Sequence, residues 1–298
     1  KALFEIRGII GNLSNLHANP QALLSEYNWS IAPPVHEHTE IYSDREYPLC
    51  SIDIEPYLLE EEKFEFISRI KIEFLAGGTS FRCQLFSPDG LAVGTSESAI
   101  SINSISGHSI GLSTGHTLSV RKLSSFIDLL VKSQYFGPFR NAINEGAGIH
   151  YDTAVGTGFI SQWHQWKTGA NKAQNRAIER VTEDIRRLIG ANSLEINASN
   201  ELKTLQVSID KRPHKLQELG AGFSQLVVVL GNALIRNPSF ILIDEPELHL
   251  HPGLQSDFLT TLATYASHGL LFTTHSMGLA RLADHCYTVQ RKEERSIV

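Results

Sequence analysis

Phe240-Ile241-Leu242-Ile243-Asp244-Glu245-Pro246-Glu247-Leu248-His249 is the stretch on which the reading of this chain turns. Four apolar residues, two of them β-branched, follow the turn-forming Asn237-Pro238-Ser239. The run therefore reads as a short strand covered on both faces in a parallel sheet. Asp244 emerges at its carboxyl end, where open α/β sheets place their ligands. Mg²⁺ on a triphosphate is a hard cation that keeps several waters and takes one or two carboxylates, which suits Asp244. Glu245 is then free to orient or deprotonate an attacking water. Two acids at a strand end are, taken alone, more often a solvated pair, so the flanking segments decide.

Upstream, Glu218-Leu219-Gly220-Ala221-Gly222-Phe223-Ser224-Gln225 opens an apolar segment running to Leu234. Small residues at a helix start leave backbone N–H groups free for an anion, although a Gly-Ala-Gly turn is commonly a plain helix entry. Downstream, Gly269-Leu270-Leu271-Phe272-Thr273-Thr274-His275-Ser276 reads as a second short apolar strand ending in a histidine. That histidine is either a satisfied polar residue or a hydrogen-bond partner for a γ-phosphate. The order and spacing of the three blocks carry more than any one of them.

Taken together, the blocks resemble the ABC-type ATPase superfamily, in the branch holding chromosome-maintenance and break-repair ATPase heads and the overcoming-lysogenization-defect (OLD) nucleases. Leu219 to Gln225 looks like the signature motif, Ile241 to Glu245 like the Walker B strand with its catalytic glutamate, and His275 like the switch histidine. Glu245-Pro246-Glu247-Leu248-His249-Leu250-His251-Pro252 is similar to the OLD-like form of the segment after Walker B. The resemblance implies an α/β fold, a P-loop NTPase ABC-type head with a mixed or antiparallel β-rich lobe and a helical insertion. It implies Mg²⁺ on Asp244, catalysis by Glu245 with His275 sensing the γ-phosphate, and ATP contacts in trans from Gly220, Ala221, Gly222, Ser224 and Gln225. Glu247, His249 and His251 would lie near a dimer seam, where the two histidines could instead cap or pack. The Tyr135-Phe136-Gly137-Pro138-Phe139-Arg140 segment resembles a block that precedes the helical insertion in such ATPases, and reads equally as a Gly-Pro turn.

One expected part is missing. No Gly-x-x-x-x-Gly-Lys-Ser/Thr occurs, and the glycines at Ala76-Gly77-Gly78 and Gly156-Thr157-Gly158 lack the lysine and, as read from sequence, a following helix. Lys1 to Ile10 reads as an apolar-periodic helix already under way, and the resemblance, in which such a helix follows the P-loop, implies a P-loop just upstream of residue 1.

The organisation expected is one ATPase head over 1–298: a β-rich lobe about 40–122, a helical insertion about 123–190, and a signature, Walker B and switch-histidine lobe about 191–298. Strands are expected over Ile67–Phe74, Ser193–Ala198, Thr204–Ile209 and Cys286–Gln290, with a turn at Ser87-Pro88-Asp89-Gly90. The 42% apolar content supports a substantial core in 298 residues. Three cysteines without paired spacing favour reduced thiols over a zinc site or a disulfide framework, hence a cytoplasmic location, and no run approaches a membrane span.

The net charge of −6 argues against a uniformly basic nucleic-acid binder. Even so, Lys167, Lys172, Arg176, Arg180, Arg186 and Arg187 beside Trp163-His164-Gln165-Trp166 permit contact with DNA phosphates. The same residues read more readily as a solvated helix laced by Glu179, Glu183 and Asp184. The resemblance further implies a homodimer or higher oligomer with ATP between heads, and an effector nuclease domain or protein, in anti-phage defence or DNA repair. The alternative is an ATP-binding scaffold, or a pseudo-ATPase, that holds an effector without turnover.

Overall fold

The computed structural model describes residues 26–28, 51–55, 59, 65–74, 80–94, 100–106, 108–137, 148–150, 153–199, 203–288, 290–292 and 295–297. These fall into two units, one running to Val131 and taking in 291–297, the other running from Lys132 to Gln290.

In the first unit, β1 (Glu26–Asn28), β2 (Ser51–Ile54), β3 (Arg69–Phe74), β4 (Ser80–Phe86) and β5 (Ala92–Val93) form an antiparallel sheet in which β5 joins β4 beside the path β1-β4-β3-β2. The alternation Arg69-Ile70-Lys71-Ile72 sends both isoleucines inward, with Ile70 opposite Leu85 on β4. The expected turn after β4 forms: Gly90 N donates to Ser87 O at 2.9 Å, and Gly90 takes φ 75°, which glycine adopts without steric cost. Next come β6 (Ile102–Ser106), β7 (Ser109–Leu112) and β8 (Thr117–Ser119), an antiparallel triplet. Helix α1 (Arg121–Val131) then buries Leu123 and Ile127, one turn apart, in the core of this unit.

The second unit contains β9 (Gln134–Phe136), the hairpin β10 (Gly148–His150) and β11 (Thr153–Val155), then α2 (Gly156–Thr168) and α3 (Lys172–Leu188). Strands β12 (Leu194–Ser199), β13 (Thr204–Ile209) and β14 (Arg212–Lys215) form an antiparallel meander, followed by a 3₁₀ turn at Leu216–Leu219 and helix α4 (Gly220–Arg236). The chain continues through β15 (Phe240–Asp244), α5 (Pro252–Ala263), β16 (Gly269–Thr273) and the single turn α6 (Met277–Ala280). Two short strands, β17 (Gln290–Lys292) and β18 (Arg295–Ile297), pair with each other.

The strand expected from Phe240 is the centre of a parallel sheet ordered β16-β15-β9, in register Ile243↔Phe272 and Ile243↔Phe136. Ile241, Leu242 and Ile243 are all buried, as a strand covered on both faces requires. Against it lies α4, whose Phe223 and Gln225 to Ala233 are buried. The segment Leu216–Arg236 has the length and apolarity of a membrane span, with a mean hydropathy of 1.5. Its burial in the core, against Trp163 and Phe159 of α2, accounts for that composition. The result is the mixed α/β architecture anticipated from the sequence.

Some expectations change. Gly156-Thr157-Gly158 does open a helix, α2, although Phe159 and Ile160 stand where a P-loop would need lysine and hydroxyl. Residues 286–288 are not strand; extended pairing starts only at Gln290, because Cys286 and Tyr287 are exposed and find no neighbouring strand among the described residues. The opening segment, Ala76-Gly77-Gly78 and Pro138 to Arg140 lie outside the described residues.

Candidate active site at the strand tip

Asp244 ends β15 in register with Thr273, the last residue of β16. The Thr273 hydroxyl donates to Asp244 Oδ1. The backbone N–H of Glu245 donates to both Thr273 O and Thr273 Oγ1, each at 3.1 Å. One threonine thereby orients both acids. Glu245 has φ 44°, a left-handed backbone that turns its side chain away from the strand. Its Oε1 lies 3.2 Å from His275 Nε2, with the glutamate 29% and the histidine 89% exposed, so the pair faces solvent.

Beyond Glu245 the chain makes a tight loop to His251. Leu248 N donates to Glu245 O and Leu250 N to Glu247 O, and His249 is the second residue with positive φ, at 64°. His251 caps α5: its Nδ1 accepts from Gly253 N at 3.2 Å, and Pro252 occupies the first turn, where a missing N–H costs nothing. Capping is thus the role His251 has in this fold.

The signature segment meets this loop directly. A Cβ on Gly222 would sit 2.4 Å from His249 O, so only glycine permits the approach. Gln225 is buried and donates from Nε2 to Pro246 O at 3.1 Å, while its Oε1 is buried without a partner among the described residues. Gly220, at φ 82°, and Ala221 are exposed at the start of α4, and Leu219 before them provides no side-chain cap. No N-cap side chain accepts from the first N–H groups of that helix. Ser224 is half-buried.

Asp244, Glu245 and His275 thus stand together, and Gly222 and Gln225 touch the loop that follows them, whereas Gly220 and Ala221 lie at the exposed helix start. Sequence reasoning passed over Thr273, and Thr274 and Ser276 beside it. Ser276 caps α6, with Leu279 N donating to its Oγ. The signal available was a Thr-Thr-His-Ser run at a strand end, where hydroxyls are well placed to orient neighbouring acids.

Hard oxygen donors at this tip suit Mg²⁺ carried on a nucleotide. Asp244 offers a half-buried carboxylate bonded to a hydroxyl, and among the described residues no lysine or arginine pairs with Asp244, Glu245 or Glu247. No group of three or more His, Cys, Asp or Glu forms a cage there either. Such a site fits a cation that keeps waters and phosphate oxygens as its other ligands.

Over residues 122–281 the sequence matches the family described as "AAA domain, putative AbiEii toxin, Type IV TA system". The chain belongs to this AAA family. The chain is 35% identical over 88 residues to the molybdenum import ATP-binding protein ModC of Paramagnetospirillum magneticum, covering 28% of this chain and 23% of that protein. It is 37% identical over 76 residues to the glutamate transport ATP-binding protein GluA of Corynebacterium glutamicum, covering 25% of this chain and 30% of that protein. The chain thus spans less than a third of the length of these two relatives. Among solved structures, the SMC head domain from Thermotoga maritima is similar at TM-score 0.38 and 14% identity, over 76% of this chain and 72% of that one. An SmcHead bound to the C-winged helix domain of ScpA gives TM-score 0.40 and 14% identity, over 95% of this chain and 84% of that one. The family shown is thus the AAA family of that description, and two ATP-binding proteins of transport systems are among the relatives.

The basic stretch comes out differently from the nucleic-acid reading. Trp163 is 0% exposed and its indole Nε1 donates to Ile196 O, and Trp166 is buried beside Phe159. Neither ring is free to stack on a base. Lys167 Nζ donates to Ile196 O and Asn197 Oδ1, and burial lowers its pKa, with Glu195 and Glu179 opposing. Glu183 accepts from Arg186 and Arg187 and is held at about 2, chiefly by the Arg186 hydrogen bonds. These groups form a helix-surface network.

Proposed function

We propose that this AAA domain is an Mg²⁺-dependent ATP-hydrolysing head of the OLD-like branch, which works as a pair of heads with ATP between them and gates an effector. The observation that carries the reading is the tip of β15, where Asp244 and Glu245 leave the central parallel strand with His275 Nε2 3.2 Å from Glu245 Oε1. The run Glu245 to Pro252 supports the OLD-like branch, and the family description, which names a toxin of a toxin–antitoxin system, supports a role in defence.

Asp244 would hold the cation through its carboxylate, oriented by Thr273. Mg²⁺ held there would supply positive charge that stabilises charge developing on the phosphoryl group. Glu245 orients the attacking water and takes its proton at Oε1, the oxygen nearest His275. His275, exposed on the same side, donates from Nε2 towards the γ-phosphate once the nucleotide is in place. The uncapped start of α4 at Gly220 to Gly222 offers N–H groups to the phosphates bound by the opposite head.

The test uses the protein expressed over its whole natural length, assayed for Mg-ATP turnover with Glu245→Gln alongside. Turnover should fall about 100-fold or more with ATP still bound, in line with removal of a group acting on the transition state. Equal turnover by both proteins, or no ATP binding by either, would sink the reading.

A further inference from the structure

Resting on the hydrolytic reading above, we infer that Glu247 is the positioning residue for His275, and that its carboxylate ties the switch histidine to the loop against which the signature helix packs. Three observations meet here. Glu247 Oε1 accepts two hydrogen bonds across a sequence gap of nearly thirty residues, from Thr274 Oγ1 at 2.6 Å and from the backbone N–H of His275 at 2.8 Å. Thr274 Oγ1 in turn accepts from Ser276 N at 2.9 Å, so one carboxylate oxygen anchors the whole Thr274–Ser276 turn. Beyond these bonds His275 has little to hold its backbone, its side chain being largely solvent-exposed.

The second observation is where Glu247 is mounted. It stands between two left-handed residues, Glu245 and His249, in a loop fastened on its other side by Gln225 Nε2 to Pro246 O and by Gln255 Nε2 to Leu250 O at 3.1 Å. The His249 carbonyl of the same loop abuts Gly222. Movement of the Thr274–Ser276 turn on meeting a γ-phosphate therefore pulls on the loop against which the start of α4 rests. The third observation is that Glu247 Oε2 is buried with no partner among the described residues. A buried carboxyl oxygen left unpaired is costly and persists where the other oxygen is needed.

The inference separates acceptor geometry from charge. Gln at 247 keeps an oxygen at the Oε1 position and loses the charge; Asp keeps the charge and loses the reach. In the protein at its whole natural length, Glu247→Gln should turn over ATP within about 3-fold of wild type, whereas Glu247→Asp and Glu247→Ala should lose about 10-fold or more in kcat with KM for ATP changed by less than about 3-fold. Adding Glu247→Ala to His275→Ala should cost no more than His275→Ala alone, because the first acts through the second.

Amide hydrogen exchange at His275, read by NMR, reports the lock independently of activity. Its exchange should quicken about 10-fold or more in Glu247→Asp and Glu247→Ala, and stay near wild type in Glu247→Gln. Unchanged exchange in Glu247→Asp, fully additive losses in the double variant, or Gln behaving like Ala would each overturn the assignment. If Glu245→Gln turns over ATP as fast as wild type, the hydrolytic reading fails on its own, and the exchange data still decide whether Glu247 holds His275.

Discussion

Two clusters of charged side chains lie in the second unit, and they are built on opposite plans. On α3, every carboxylate of the Glu183–Asp184 pair has a cation: Arg186 and Arg187 on Glu183, Arg180 at 3.6 Å and Arg187 at 3.9 Å on Asp184, which also accepts from Tyr265 OH at 2.6 Å. At the tip of β15, Asp244, Glu245 and Glu247 gather with hydroxyls, backbone N–H groups and one histidine. Compensated charge fastens α3 to the Thr264-Tyr265 segment that follows α5, whereas the acids at the strand tip have no lysine or arginine partner among the described residues. The contrast separates a structural network from a chemical one without reference to any motif.

The sharpest challenge to that contrast is Asp244→Asn. It should cost turnover about 100-fold or more by removing the cation's carboxylate, yet leave the melting temperature unchanged or slightly raised, since one acid of three is neutralised. A large loss of stability there would make the tip structural after all. Asp184→Ala should do the reverse. It leaves the buried Tyr265 hydroxyl without its acceptor, and should destabilise by about 1–3 kcal/mol in urea denaturation while turnover per folded molecule is retained.

Tyr265→Phe removes one hydrogen bond and should cost about 1–2 kcal/mol at neutral pH. It also carries a pH signature. Burial, and after it the Asp184 bond, raises the Tyr265 pKa well above its ordinary value near 10. The folded state therefore retains the phenolic proton more tightly than the unfolded chain. That stabilisation is complete below about pH 10 and is lost as pH rises above it towards the folded value. Denaturation at pH 8 and at about pH 11 should show wild type losing its advantage over the Phe variant at the higher pH. The smallest effect is expected from Arg187→Ala, whose side chain is 66% exposed: a few tenths of a kcal/mol at most, and none at high salt.

The central strand, the helix from Gly220 and the alternating β13 were legible because each holds a full hydrophobic period within a few residues. The short β9, β10 and β11 were not, since three residues cannot show a period, and β9 joins the sheet through a partner about a hundred residues away. Trp163 and Trp166 sit beside basic residues in sequence, but helical geometry turns both rings into the core, and Lys167 beside them is held by Ile196 O. Within the site, Asp244, Glu245 and His275 were readable from order and spacing. Thr273 was not, and neither was Glu247's link to Thr274 and His275, because both act through registry between β15 and β16.

The left-handed backbone at Glu245 has a consequence for stability. A non-glycine residue held there forfeits roughly 1 kcal/mol, so a Glu245→Gly change would relax the turn while deleting the carboxylate. Glu245→Gly and Glu245→Asn should therefore raise the melting temperature, so that backbone and side chain at this one position favour different residues.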